Sequence, residues 1–132
     1  DNAVITSITL RLRQAGAPVG ANPFTSLSAL KVDIRKPRFG SLAALEKNDF
    51  QAAAGMSDIG AIPNTPVNNW YTRVWSTDTF FSFISKTSLT QFRLRFSKGD
   101  NDNGVADYMK FNSGNHATVS VRPTLIIRYY VP

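Results

Sequence analysis

Apolar and polar residues alternate with period two in three separate stretches of the chain. In Ile8-Thr9-Leu10-Arg11-Leu12-Arg13 the apolar residues fall on one face and Thr9, Arg11 and Arg13 on the other. Leu30-Lys31-Val32-Asp33-Ile34-Arg35 and Gln91-Phe92-Arg93-Leu94-Arg95-Phe96 repeat the pattern. Such alternation predicts antiparallel strands with one face on a core and the other on water. Residues Thr124 to Val131, rich in β-branched and aromatic types and preceded by Pro123, read as a fourth strand. Trp70 to Trp75 and Ala106 to Phe111 complete a set of at least six. Phe80, Phe81, Phe83, Phe92 and Phe96 are expected in the core.

Helical periodicity is thin. Asn48 or Asp49 is suited to cap a short helix through Phe50-Gln51-Ala52-Ala53-Ala54, and Thr77 or Asp78 a second through Phe80 to Ile84. Turn-rich segments at Gly16–Pro23, Ile62–Asn69, Gly99–Gly104 and Ser113–Asn115 separate the strands. Many short strands with turn signals between them predict an all-β fold: an antiparallel β-sandwich of jelly-roll type, with one or two short helices in its connections. No linker or internal repeat divides residues 1–132, so a single domain is expected.

Composition narrows the chemistry. Hydrophobic residues make 42% and charged residues 18% of the 132, which fits a packed domain and excludes a disordered segment or coiled coil. Fifteen Lys and Arg against nine Asp and Glu leave a net charge of +6, a balance that favours anionic partners. Without cysteine there are no disulfides, thiolate metal sites or thiol nucleophiles, and the one histidine, His116, makes imidazole clusters improbable. No run of 18 apolar residues exists, so no membrane insertion is expected, and no charged-then-apolar leader precedes Asp1.

The second half of the chain carries an ordered series of motifs. Thr90-Gln91-Phe92-Arg93-Leu94-Arg95-Phe96 is followed by Asp100-Asn101-Asp102-Asn103-Gly104-Val105-Ala106-Asp107-Tyr108-Met109-Lys110-Phe111, then Ser113-Gly114-Asn115 and Arg122-Pro123 through Tyr129-Tyr130-Val131-Pro132. With Val32-Asp33-Ile34-Arg35, Phe39-Gly40, Asp49-Phe50-Gln51-Ala52 and Trp70-Tyr71, this series resembles the DNRLRE domains, relatives of carbohydrate-binding module family 96. The resemblance implies an extracellular or cell-surface β-sandwich from large bacterial or archaeal proteins, found at times beside polysaccharide lyases. It implies a taste for acidic polysaccharide, since the related modules bind alginate. Family domains usually carry strands upstream of the segment that looks like Asp1 to Ile5. A domain lacking those N-terminal strands is therefore expected, with its gap filled by a neighbouring copy or a cleaved N-terminal segment.

Three constellations carry candidate chemistry. In the loop 100–107, Asp100, Asp102 and Asp107 offer carboxylates and Asn101 and Asn103 amide oxygens, an arrangement suited to a structural Ca²⁺. No Glu occupies the twelfth position of an EF-hand, and the same residues also make an ordinary solvated turn. Arg11, Arg13, Lys31, Arg35, Arg93, Arg95, Lys110 and Arg128 occupy outward strand positions. Shared on one face they would form a stripe for carboxylated or sulfated glycan; Asp33 and other cross-strand acids would otherwise neutralise part of it. The same field attracts nucleic acid, though no nucleic-acid partner is expected. Among the aromatics, Trp70, Tyr71 and Tyr130 are the ligand-stacking candidates, with Trp75, Tyr108 and Tyr129 behind them. One of each adjacent pair, Trp70/Tyr71 and Tyr129/Tyr130, should face outward.

Catalysis finds no support: eight Asp and the single Glu46 contain no acid/base pair outside the turn loop. Two readings follow. One is a non-catalytic carbohydrate-binding module, stiffened by Ca²⁺, that grips acidic polysaccharide through the basic face. The other is a structural subunit of an extracellular filament, sheath or adhesin whose missing strand comes from a neighbour.

Overall fold

The computed structural model describes residues 2–76 and 79–132. Six strands run in the order β1 (Val4–Arg13), β2 (Leu30–Arg35), β3 (Ala61–Ile62), β4 (Trp70–Trp75), β5 (Gln91–Phe96) and β6 (Thr124–Tyr130). They form two three-stranded antiparallel sheets, β4-β1-β6 and β3-β2-β5. The fold is all-β, as the alternation predicts. One four-residue helix, α1 (Pro23–Ser26), and 3₁₀ turns at Lys47–Phe50, Thr79–Phe83 and Val119–Val121 lie in the connections.

The core sits between the sheets. β1 contributes Ile8, Leu10 and Leu12, β2 contributes Leu30, Val32 and Ile34, and β4 contributes Tyr71 and Trp75. Phe80 is fully enclosed, edge-on to Trp75 at 5.3 Å and to Phe81 at 5.1 Å. Each such side chain removed from water contributes roughly 1.5–3 kcal/mol before entropy is counted. A register shift between Ile5 and Ser7 adds one residue to β1, so that Ile5 and Ile8 both turn toward the core despite their odd spacing. α1 starts at Asn22, whose side chain accepts the Phe24 N–H at 3.0 Å, with Pro23 at the first helical position. It brings Phe24 flat against Tyr71, 5.3 Å between ring centroids.

Three sequence expectations need correction. The segment 106–111 is no strand; it touches the extension of β1 at two isolated bridges, Gln14 with Phe111 and Val19 with Tyr108. The intervening Gly16-Ala17-Pro18 breaks the ladder, because the chain turns there and proline has no N–H to give. The helix expected over 50–54 is instead the 3₁₀ turn Lys47–Phe50, with Asp49 inside it accepting the Glu46 N–H at 2.8 Å. β3, two residues long, is too short to show a period and falls where a turn was expected. The cap expected at Thr77 or Asp78 lies outside the described residues.

β3 and β4 meet at one side of the molecule, which leaves β5 and β6 as the edges of the opposite side. No β5 residue is fully buried, and Phe92, Leu94 and Phe96 are only partly covered although they face inward. β6 is barer still: Leu125, Ile126, Tyr129 and Tyr130 are all exposed. Among the described residues, no helix is long and apolar enough to cross a membrane.

Candidate carbohydrate-binding face

The eight predicted outward cations divide by sheet. Those of β2 and β5 do not form an open stripe. Asp33, on the supposedly wet face of β2, is 0% exposed, because the segment 49–58 folds across that face. Arg93 donates from Nε and Nη2 to Asp33 Oδ2 at 3.1 and 2.7 Å, and from Nη1 to the carbonyls of Asp49, Phe50 and Ala52. Arg95 donates to both Asp33 oxygens, at 2.9 and 3.2 Å. Lys31 pairs with Asp58 at 2.5 Å, and Arg35 donates to the Ala53 carbonyl. Arg93, Lys31 and Arg35 staple the covering segment to the sheet, and Arg95 closes on Asp33. A charged group between two strands finds partners in whatever chain crosses above it, and period-two alternation cannot register that crossing.

Asp33 is the hub of this cluster. Burial alone would raise its pKa, but hydrogen bonds from Arg95, the Asp58 N–H and Arg93 more than offset that and lower it to about 2. Glu46 plays a similar part nearby: the Leu42 and Ser41 N–H groups on its carboxylate hold its pKa below the ordinary value.

The outward cations of the other sheet have no acidic partner among the described residues. Register places Trp70 opposite Arg13, Thr72 and Thr124 beside Arg11, Val74 and Ile126 beside Thr9, Arg128 beside Ser7 and Tyr130 beside Val4. All lie on the face turned away from the core, since Leu12, Leu10 and Ile8 alternate inward. Arg11 rests over the Trp70 ring, 4.5 Å from its centroid, a cation–π contact. Among the described residues, no acidic side chain or carbonyl takes the guanidinium hydrogens of Arg11, Arg13 or Arg128. Val74 and Ile126 expose an apolar strip between them. Nine residues of β1 separate the Trp70 and Tyr130 positions, roughly 30 Å at about 3.4 Å per residue. Lys110 joins the Arg13 end of the face, where Asn112 N–H donates to the Arg13 carbonyl, and its ammonium sits 5.8 Å from the Tyr108 ring.

The aromatic candidates sort accordingly. Tyr71 is core, 4% exposed and packed between Phe24 and Phe111, with burial pushing its phenol pKa up. Trp75 is core as well, donating from Nε1 to the Ile59 carbonyl at 2.6 Å. Of Trp70 and Tyr71 one faces outward, as pleating demands. Tyr129 and Tyr130 are both exposed, because the inner side of β6 is uncovered at that end.

The loop 100–107 holds itself together with the oxygens expected for a cation. Asp100 Oδ1 accepts the N–H groups of Asn101 and Asp102, and Asn103 Oδ1 accepts that of Val105. Asp107 accepts the Ala21 N–H and the Asn101 amide, both at 2.8 Å. Hydrogen bonds from Ser26 and Ala21 hold its carboxyl below the usual range. Among the described residues, Asp100, Asp102 and Asp107 do not converge as one cluster of ligating carboxylates. Beside β5, a cavity of about 360 Å³ opens between Phe39, Phe50 and Phe92, but the Gln91 amide and Arg93 on its wall are already spent on backbone groups.

No protein-family model, curated protein or solved structure matches the chain. The likeness to DNRLRE domains rests on the motifs alone.

Proposed function

We propose that this is a non-catalytic, extracellular, carbohydrate-binding-module-like β-sandwich of jelly-roll type, and that it binds acidic polysaccharide across the outer face of the β4-β1-β6 sheet. The observation that carries the reading is the co-facial set Arg11, Arg13 and Arg128 between Trp70 and Tyr130, whose guanidinium hydrogens no acidic side chain or carbonyl takes among the described residues. Guanidinium groups offer paired donors to a carboxylate, and a long flat sheet suits an extended chain of repeating charge. The aromatic at each end offers a ring for a sugar face, and the apolar strip between them has the same use. Neither Ca²⁺ nor the cations of the other sheet is needed.

The test is titration with a polyuronate such as alginate, at low and high salt, followed by Trp70 fluorescence. Binding that weakens with salt and perturbs the indole is expected. No binding of any carboxylated or sulfated polysaccharide at low salt would overturn the reading. A second reading, a filament, sheath or adhesin subunit completed by a neighbour's strand, draws on a different observation: the edges of β5 and β6, unpaired among the described residues.

A further inference from the structure

The backbone of β6 is aimed at an absent partner. Gln14 N–H donates across to Asn69 on the β4 side, while the Arg13 carbonyl accepts from Asn112 on the other. Alternation along β1 then directs Arg11, Thr9 and Ser7 toward β6, where they face Thr124, Ile126 and Arg128. The N–H and C=O groups of Leu125, Ile127 and Tyr129 therefore point out from the edge of the sheet, a ladder of donors and acceptors spaced every second residue with no partner among the described residues. The seven-residue strand TLIIRYY contains one charge and no Lys or Pro, the residues that usually blunt an exposed edge.

We propose that β6 pairs antiparallel with β6 of a second copy of this chain, about a two-fold axis through Ile127. This register overlaps the whole of Thr124–Tyr130 and aligns the outward-pointing backbone groups of each copy. On the inner side it sets Leu125 against the other copy's Tyr129; on the outer side it sets Arg128 against Ile126, so no like charges meet. The other free edge cannot do this. On β5 the residues with outward backbone groups are Phe92, Leu94 and Phe96, since Ser97 N–H donates to Ala29 across the β2 side. Every near-complete two-fold register there sets arginine against arginine, through Arg93 or Arg95. Charge thus selects β6 as the self-complementary edge.

The pairing yields one six-stranded sheet whose outer face carries Arg11, Arg13 and Arg128 of both copies. That consequence rests on the glycan-face reading above; the pairing itself does not. Polysaccharide would then be gripped by two chains, with the avidity gained when a second binding event becomes intramolecular.

Light scattering on the purified protein without glycan tests the pairing. The expected mass is twice 14.6 kDa. A monomer at all concentrations up to millimolar overturns the proposal, whatever the glycan titration shows. Tyr129→Pro removes an N–H that points away from β1, together with the ring set against Leu125 of the second copy, and is expected to give a monomer with an unchanged circular dichroism spectrum. Ile126→Lys, opposite Arg128 of the second copy, is expected to weaken dimerisation about tenfold and Ile126→Glu to strengthen it, since the contact occurs twice. A dimer indifferent to both Ile126 variants, or one lost on changing β5 alone, would place the interface elsewhere.

Discussion

Asp33 Oδ2 lies 2.7 Å from Arg93 Nη2, with the carboxylate entirely buried and the guanidinium nearly so. The same arginine binds three carbonyls of the segment 49–52, so one side chain joins β5, β2 and the crossing chain. Removing Asp33 strands Arg93 beneath that segment. Asp33→Ala is therefore expected to cost about 3 kcal/mol or more, against roughly 0–1 kcal/mol for Lys31→Ala, which breaks a half-exposed pair. Urea denaturation of the two variants checks the contrast; equal losses would mean that Asp33 is no hub.

The same carboxylate sets an acid limit. Its folded pKa of about 2 lies below the ordinary carboxyl value of 3.8, so the folded state binds the proton more weakly than the unfolded chain. The stabilisation is complete above the unfolded value and disappears as pH falls through the folded one. A loss of roughly 2 kcal/mol between about pH 4 and pH 2 is expected from this group. Chemical denaturation across that range measures the slope, and Asp33→Asn should flatten it.

These two effects also explain where the sequence misled. The strands with clean alternation, β1, β2 and β5, are where the pattern put them, because a core on one side imposes period two whatever lies on the other. What lies on the other side was illegible. Arg11 and Arg93 occupy equivalent positions in their strands, yet one is open and the other is stapled under the segment 49–52. That difference comes from a contact of 41 to 44 residues' separation, which no local pattern encodes. A clue existed in Asp33, the one acid on an otherwise cationic strand pair. Trp70 and Tyr71 were correctly an inward and outward pair, but only the register with β1 decides which is which.

Gly20 sits at φ +73, where it packs against the Ala106 carbonyl and the Asp107 carboxylate, beside the Ala21 N–H that Asp107 accepts. A β-carbon there meets the Ala106 backbone oxygen as well as the Asp107 carboxylate, and the left-handed conformation itself disfavours it. Gly20→Ala is expected to cost roughly 1–3 kcal/mol. Gly16, at φ +77 with nothing near its α-carbon, should lose only the conformational part, about 1 kcal/mol on replacement by Ala. Paired thermal melts distinguish them, and a Gly20 variant no worse than the Gly16 one would contradict the close packing.

The loop 100–107 closes on its own N–H groups, and Asp107 is tied to Ala21. Millimolar Ca²⁺ is accordingly expected to move the melting temperature by no more than about 1 °C. Asp107→Ala should lower it with or without calcium, because the tether needs no ion. A rise of several degrees with Ca²⁺, reversed by a chelator, would show that the loop rearranges around the cation.

The division of the cations gives the sharpest functional prediction. Arg11 and Arg128 have no carboxylate partner among the described residues, Arg11 resting on the Trp70 ring, whereas Lys31 is occupied by Asp58 at 2.5 Å on the other sheet. A charge-assisted hydrogen bond is worth about 1.5–3 kcal/mol, so Arg11→Ala and Arg128→Ala should each weaken polyuronate binding by roughly tenfold or more. Lys31→Ala, which removes the same net charge, should change it by less than about twofold at moderate salt. If all three lose affinity equally, net charge alone attracts the glycan and the face confers nothing. Trp70→Ala separates the two further: it leaves the charge at +6 but removes the ring and frees Arg11 from it, so a loss of binding there comes from the contacts of the face and not from net charge.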